Sequence, residues 1–144
     1  MKHRNQELRP EIVWEVMDIC DMKGLKDNTF DFVFDKSTID ALLCGENSFV
    51  NVAKMLKETQ RVLKPGGNYF AVSYGKPESR SFHLEQAFLS FDIREFVMYD
   101  EAAVTSKEKE EKTHYVYVCT KRPDADQVVT ANFEKVMNEL LKQE

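Results

Sequence analysis

The chain has 144 residues, 42% of them apolar and 31% charged, with a net charge of −5. That is room for one domain with a modest core, and it argues against non-specific binding to polyanions such as nucleic acid. No apolar run approaches the roughly 18 residues of a membrane-spanning helix, and the opening MKHRNQELRPE is too polar for a secretory signal.

In chain order, VWEVMD (Val13 to Asp18) is a short apolar run closed by an acid and predicts a strand. FDFVFD (Phe30 to Asp35) predicts a second, with turn chemistry before it at Asp27-Asn28. Phe49, Val52, Ala53, Leu56 and Leu63 then recur at helical spacing, with Ser48 as N-cap. That helix is expected to stop at Lys64, because Pro65-Gly66-Gly67 does not continue it. Asn68 to Tyr74 predicts a third strand, and Gly75-Lys76-Pro77 a turn. SFHLEQAFLSF predicts a helix whose stripe, Phe82, Phe88 and Phe91, belongs to the core. IREFVMYD and HYVYVCTKR predict two more strands, joined by a long polar hairpin loop. The last helix places Phe133, Val136, Met137, Leu140 and Leu141 on its apolar face, with Thr130 as its cap.

The resulting order is strand, strand, helix, strand, helix, strand, strand, helix. Strands alternating with crossover helices predict an α/β fold with a mostly parallel sheet. The final two strands have no helix between them and are expected to pair as an antiparallel hairpin. Ligands in such sheets sit at the carboxyl ends of the strands, here Asp18-Ile19, Asp35-Lys36 and Ser73-Tyr74. Residues 1–122 form one domain, and residues 123–144 a linker with an amphipathic helix. Cys20, Cys44 and Cys119 contain no Cys-x-x-Cys pair, which points to free thiols in a reduced compartment, by default the cytoplasm. Cys20 and Cys44 read as small buried fillers. His3, His83 and His114 lack ligand spacing, so no metal site is assigned.

Three phrases in this order, EVMDICDM, NTFDFVFDKSTIDALL and KETQRVLKPGGNYFAVSY, resemble class I S-adenosylmethionine-dependent methyltransferases. DKSTIDALL narrows the resemblance to the branch that includes the elongation factor 1-alpha lysine methyltransferases, where Gly usually stands in the place of Ser37. The resemblance covers residues 11 to 120 and implies a Rossmann-like fold. It implies S-adenosyl-L-methionine as cofactor, with Asp18, Ile19 and Met22 at the adenine and Asp35 at the methionine end, beside the chemistry. Lys36, Ser37, Thr38 and Tyr74 would line the substrate side, and a protein lysine would accept the methyl group. The residues alone leave an N-terminal amine, another side chain or a small molecule open as acceptor.

One departure stands out. The family opens with a strand, a glycine-rich cofactor turn, a helix and a second acid-ended strand, whereas Gly24, Gly45, Gly66, Gly67 and Gly75 form no such motif. MKHRNQ resembles the helix that follows that second strand, so the fold is expected without its first two strands and with exposed strand edges. Three arrangements would account for this. The natural protein is longer, or a second chain or self-association covers the edges, or the chain is an inactive methyltransferase-like structural or assembly subunit. Each site residue also has a plainer reading. Asp18 and Asp35 would serve as turn caps, Lys36 as a solvated lysine, and Tyr74 as the end of its strand.

Overall fold

The computed structural model describes residues 7–99 and 101–144. The helical reading of MKHRNQ lies outside the described residues. Four strands, β1 (Phe30–Lys36), β2 (Leu63–Ser73), β3 (Phe91–Met98) and β4 (His114–Lys121), form one sheet in the order β1-β2-β4-β3. β1 runs parallel to β2, while β2–β4 and β3–β4 are antiparallel, so the last two strands pair as expected but the described sheet is mixed rather than mostly parallel. Helices α1 (Thr38–Leu43), α2 (Ser48–Val62), α3 (Pro77–Leu84), α4 (Ser106–Glu111) and α5 (Ala125–Leu140) fill the connections and close the chain. No described helix is long and apolar enough to cross a membrane.

Strand alternation divides the sheet into two faces. Tyr69, Ala71, Tyr117 and Cys119 are almost fully buried and form one core with Val52 and Leu56 of α2, Leu84 of α3 and Val136, Met137 and Leu140 of α5. On the opposite face Phe32 and Phe70 meet with ring centroids 4.7 Å apart. Phe32, Phe34 and Phe96 on that face are 51%, 61% and 50% exposed.

The VWEVMD segment is a correction. Residues 12–18 adopt no strand, and Val13 and Val16 are 80% and 102% exposed. An isolated strand leaves its N–H and C=O groups unpaired, so apolar patterning without a neighbour does not make a ladder. β1 likewise pairs with β2 alone, and its outer edge carries no partner among the described residues. Trp14 is half-buried, with its indole nitrogen enclosed and unpartnered among the described residues.

Smaller differences follow local chemistry. α2 ends at Val62 because Leu63 turns extended ahead of Pro65. β2 therefore starts earlier than Asn68 and absorbs Pro65-Gly66-Gly67 as an irregularity against β1. Gly67 is required there, since a Cβ would sit 2.9 Å from the Lys64 carbonyl oxygen and 3.0 Å from that of Asp31. The polar hairpin loop contains α4, nucleated by a capping box between Thr105 and Glu108. α5 begins at Ala125, and Thr130, read as its cap, instead donates its hydroxyl to the Asp126 carbonyl. Phe88 and Phe91 are core, but Phe82 is 45% exposed because α3 ends at Leu84 and does not carry the stripe onward. Cys44 is exposed rather than a buried filler.

Candidate active site

A cavity of about 130 Å³ opens at the carboxyl end of β1, lined by Ile19, Met22, Val33, Phe34, Asp35, Thr38, Met55, Thr59 and Tyr69. It brings together four residues singled out in the sequence: Ile19, Met22, Asp35 and Thr38. β1 delivers Asp35 on the face that also carries Val33, next to Tyr69 of β2. Both carboxylate oxygens of Asp35 are held, Oδ1 by the Thr38 N–H at 3.0 Å and Oδ2 by the Tyr69 hydroxyl at 2.7 Å. Burial, then the Asp35 charge, raises the Tyr69 pKa well above the ordinary phenol value, so Tyr69 remains a donor.

The loop carrying Ile19 and Met22 has no regular structure, yet α2 pins it. Glu58 accepts from the Met22 N–H at 2.8 Å, and Arg61 donates to the carbonyls of Met22 (3.0 Å) and Leu25 (2.8 Å). Arg61 is itself paired with Glu58 and Asp27. Asp18 lies outside the cavity lining. It is exposed, and its Oδ1 accepts from the Cys20 N–H at 2.8 Å in an Asx turn. Lys36 is exposed at the tip of β1. Ser37 takes φ 64°, ψ 14°, a left-handed conformation, and makes no side-chain cap.

Tyr74 lies outside the cavity lining, and residues missed by sequence reasoning hold its backbone. Asp40 accepts from the Ser73 hydroxyl at 2.7 Å, from the Arg80 guanidinium, and from the Tyr74 N–H at 3.3 Å. Arg80 Nε and the Gly75 N–H both donate to the Ser73 hydroxyl oxygen, at 2.9 and 3.0 Å. Burial alone would raise the Asp40 pKa, but hydrogen bonds from Ser73, Arg80 and Tyr74 outweigh it and leave it lowered. Asp40 stood inside the DKSTIDALL phrase. Arg80 lay in PESRS, where nothing local marks it, and only tertiary pairing reveals its partner.

The cavity fits part of a nucleoside cofactor. Ile19, Met22, Val33 and Met55 offer an apolar wall for a flat ring or a thioether, and Asp35 offers one fixed carboxylate. Sites that enclose a whole small ligand span roughly 300–1,000 Å³, so the remainder of such a molecule would lie toward the open β1 edge. None of the five glycines lines the cavity.

Residues 1–71 match a family described as a methyltransferase domain. The chain is 33% identical over 93 residues to EEF1A lysine methyltransferase 4 of Bos taurus, covering 59% of this chain and 36% of that protein. It is 40% identical over 75 residues to the eEF1A lysine and N-terminal methyltransferase of Mus musculus, covering 51% of this chain and 11% of that one. The chain thus spans about a third or less of the length of these relatives. Its fold superposes on that of a Haloferax volcanii methyltransferase, solved with the Trm112 methyltransferase activator. The TM-score is 0.57 at 14% identity, covering 81% of this chain and 67% of that chain.

Proposed function

We propose that the chain is a class I methyltransferase-like polypeptide, as the match of residues 1–71 to a methyltransferase-domain family and the shared fold support, and that it supplies one half of an S-adenosylmethionine site serving methyl transfer to a protein lysine. The observation that carries this reading is the convergence of Ile19, Met22, Asp35 and Thr38 on one cavity at the carboxyl end of β1. Ile19 and Met22 would wall the adenine, with Asp18 exposed beside them. Asp35 would hold the methionine end, kept in place by Tyr69 and the Thr38 N–H. When bound, the cofactor supplies an electrophilic methyl group on a sulfonium. The protein's share is alignment and exclusion of water, because an in-line displacement gains most from positioning. A lysine attacks only as the neutral amine, whereas at neutral pH, far below its ordinary pKa of about 10.4, it is protonated, so an acceptor near the site needs an oxygen to take or orient its proton. Lys36, Ser37, Thr38 and Tyr74 would then line the substrate side.

A second reading draws on a different observation. The unpaired β1 edge, with Phe32 and Phe34 exposed beside it, favours association with another polypeptide. In that reading the chain is a methyltransferase-like assembly subunit, or a half-site that a second chain completes. Three free cysteines support a reducing compartment such as the cytoplasm.

Calorimetric titration with S-adenosylhomocysteine, the demethylated product, tests the proposal. One-to-one binding by the folded chain, weakened by Asp35→Ala, supports a functional half-site. Absence of binding by a chain shown to be folded removes the catalytic reading for this polypeptide alone and leaves the assembly role.

A further inference from the structure

Ile19 and Met22 reach the Asp35 cavity from residues 19–27, a stretch with no helix or strand. Its own backbone bonds are short-range. The Asp21 N–H donates to the Asp18 carbonyl at 3.0 Å, and the Leu25 N–H to the Met22 carbonyl at 2.9 Å. Bonds of that span close single turns and do not fix where the turns sit against the rest of the molecule. Two side chains of α2 do. Glu58 accepts from the Met22 N–H at 2.8 Å. Arg61 donates to the Met22 carbonyl at 3.0 Å, and at 2.8 Å to both the Leu25 carbonyl and the Asp27 carboxylate. Its Nε bonds the second oxygen of Glu58. Met22 is therefore gripped at its N–H and at its carbonyl.

The grip is built for position. The Glu58 and Arg61 side chains are 12% and 25% exposed, so their charge-assisted bonds form largely out of bulk water, where such bonds are stronger. A planar guanidinium carries five N–H donors in a fixed fork and suits two carbonyls and two carboxylates at once; an ammonium is a single centre and does not span them. Met55 and Thr59 of the same helix line the cavity, whereas Glu58 and Arg61 do not. One rigid helix thus carries both a wall of the cavity and the clamp on Met22. Neither clamp residue belongs to the buried core, which α2 enters through Val52, Ala53 and Leu56, so the clamp can be cut without emptying the core. A loop ordered in advance spares binding the entropy of ordering it, which for one residue's backbone is a factor of about 5–30 in affinity.

We propose that Glu58 and Arg61 are positioning residues for the nucleoside end of the cofactor: they hold the loop of Ile19 and Met22 in its binding form before the ligand arrives. The role toward a cofactor rests on the methyltransferase reading; the clamp rests on the bonds above.

The test compares the 144-residue chain with Arg61→Met, which keeps an apolar stem but no donor, and with Glu58→Ala, which leaves Arg61 on both carbonyls. Amide hydrogen exchange followed by NMR reads the loop without ligand. Calorimetry reads affinity for S-adenosylhomocysteine and for 5′-methylthioadenosine, which keeps the nucleoside and the thioether but lacks the amino-acid end. In Arg61→Met the Met22 and Leu25 amides are expected to speed up about tenfold relative to those of Tyr69 and Tyr117 in the sheet, and both ligands to bind about tenfold more weakly. Glu58→Ala is expected to show the same pattern at about threefold. If Arg61→Met does not fold, Glu58→Ala decides by the same criteria. Equal acceleration at all four amides marks a general loss of stability and overturns the proposal. So does a loss confined to S-adenosylhomocysteine. Binding by the parent with affinity unchanged in the variants removes the proposal and keeps the cofactor reading. A parent chain that binds neither ligand removes the cofactor reading and the proposal with it.

Discussion

Ser37 offers the sharpest check on the local structure of the site. It holds φ 64°, ψ 14° with no side-chain cap, while its backbone stays bonded on both sides. Its N–H donates to the Val72 carbonyl at 2.8 Å and its carbonyl accepts from the Ala41 N–H at 3.0 Å. The left-handed conformation costs an L-residue about 1–2 kcal/mol. Glycine removes that strain but adds roughly 0.5–1 kcal/mol of backbone entropy loss on folding. Because the hydroxyl makes no cap, its removal costs little, and Ser37→Gly is expected to stabilise by about 0.5–1 kcal/mol. For a chain of this size that is a melting-temperature rise of roughly 1–4 °C. Ser37→Val keeps the strain and adds β-branching, so it is expected to lose about 1–2 kcal/mol. Urea melts of the three proteins at pH 7 decide the matter. A Ser37→Gly variant less stable than the parent, or a Ser37→Val variant equal to it, refutes the left-handed assignment. Among the described residues the other two non-glycine residues with positive φ, Asn28 and Asn47, are of the type that tolerates it.

Two further perturbations address the groups around α3. His83 is buried, and burial followed by the nearby Arg80 charge holds its pKa down to about 4. The fold therefore prefers the neutral imidazole. Its contribution is complete above the unfolded value near 6.5 and disappears as pH falls through about 4, a loss on the order of 3 kcal/mol. Urea melts from pH 7.5 to 4 should show this slope in the parent and a flatter one in His83→Leu; parallel slopes would discard the assignment. Asp40 and Arg80 side chains are only 18% and 11% exposed, so Asp40→Ala strands a guanidinium and is expected to destabilise by about 2–4 kcal/mol. Asp40→Leu combined with Arg80→Met should recover most of that, and additive losses in the double variant would show that the two groups do not act as a pair.

Much of the architecture was legible in the chain because it rests on local chemistry. The Phe/Asp alternation of β1, the apolar spacing of α2 and the Pro65-Gly66-Gly67 break each specify their own element, and Asp35 stands one residue before the end of β1. The three phrases implied cofactor roles for Asp18, Ile19, Met22 and Asp35 and substrate-side roles for Lys36, Ser37, Thr38 and Tyr74; of these, Ile19, Met22, Asp35 and Thr38 line one cavity. Tertiary structure decided what local pattern does not encode. VWEVMD has strand-like patterning, yet a strand exists only when a neighbour takes its hydrogen bonds, and none is present among the described residues. Asp18, outside the lining of the β1 cavity, accepts from the Cys20 N–H within its own turn. Arg80 reads as an ordinary polar residue until the packing of α3 brings it to Asp40 across 40 positions of sequence. The clamp of Glu58 and Arg61 on Met22 joins residues 36 and 39 positions apart, and such convergence follows from packing rather than from any single stretch of residues.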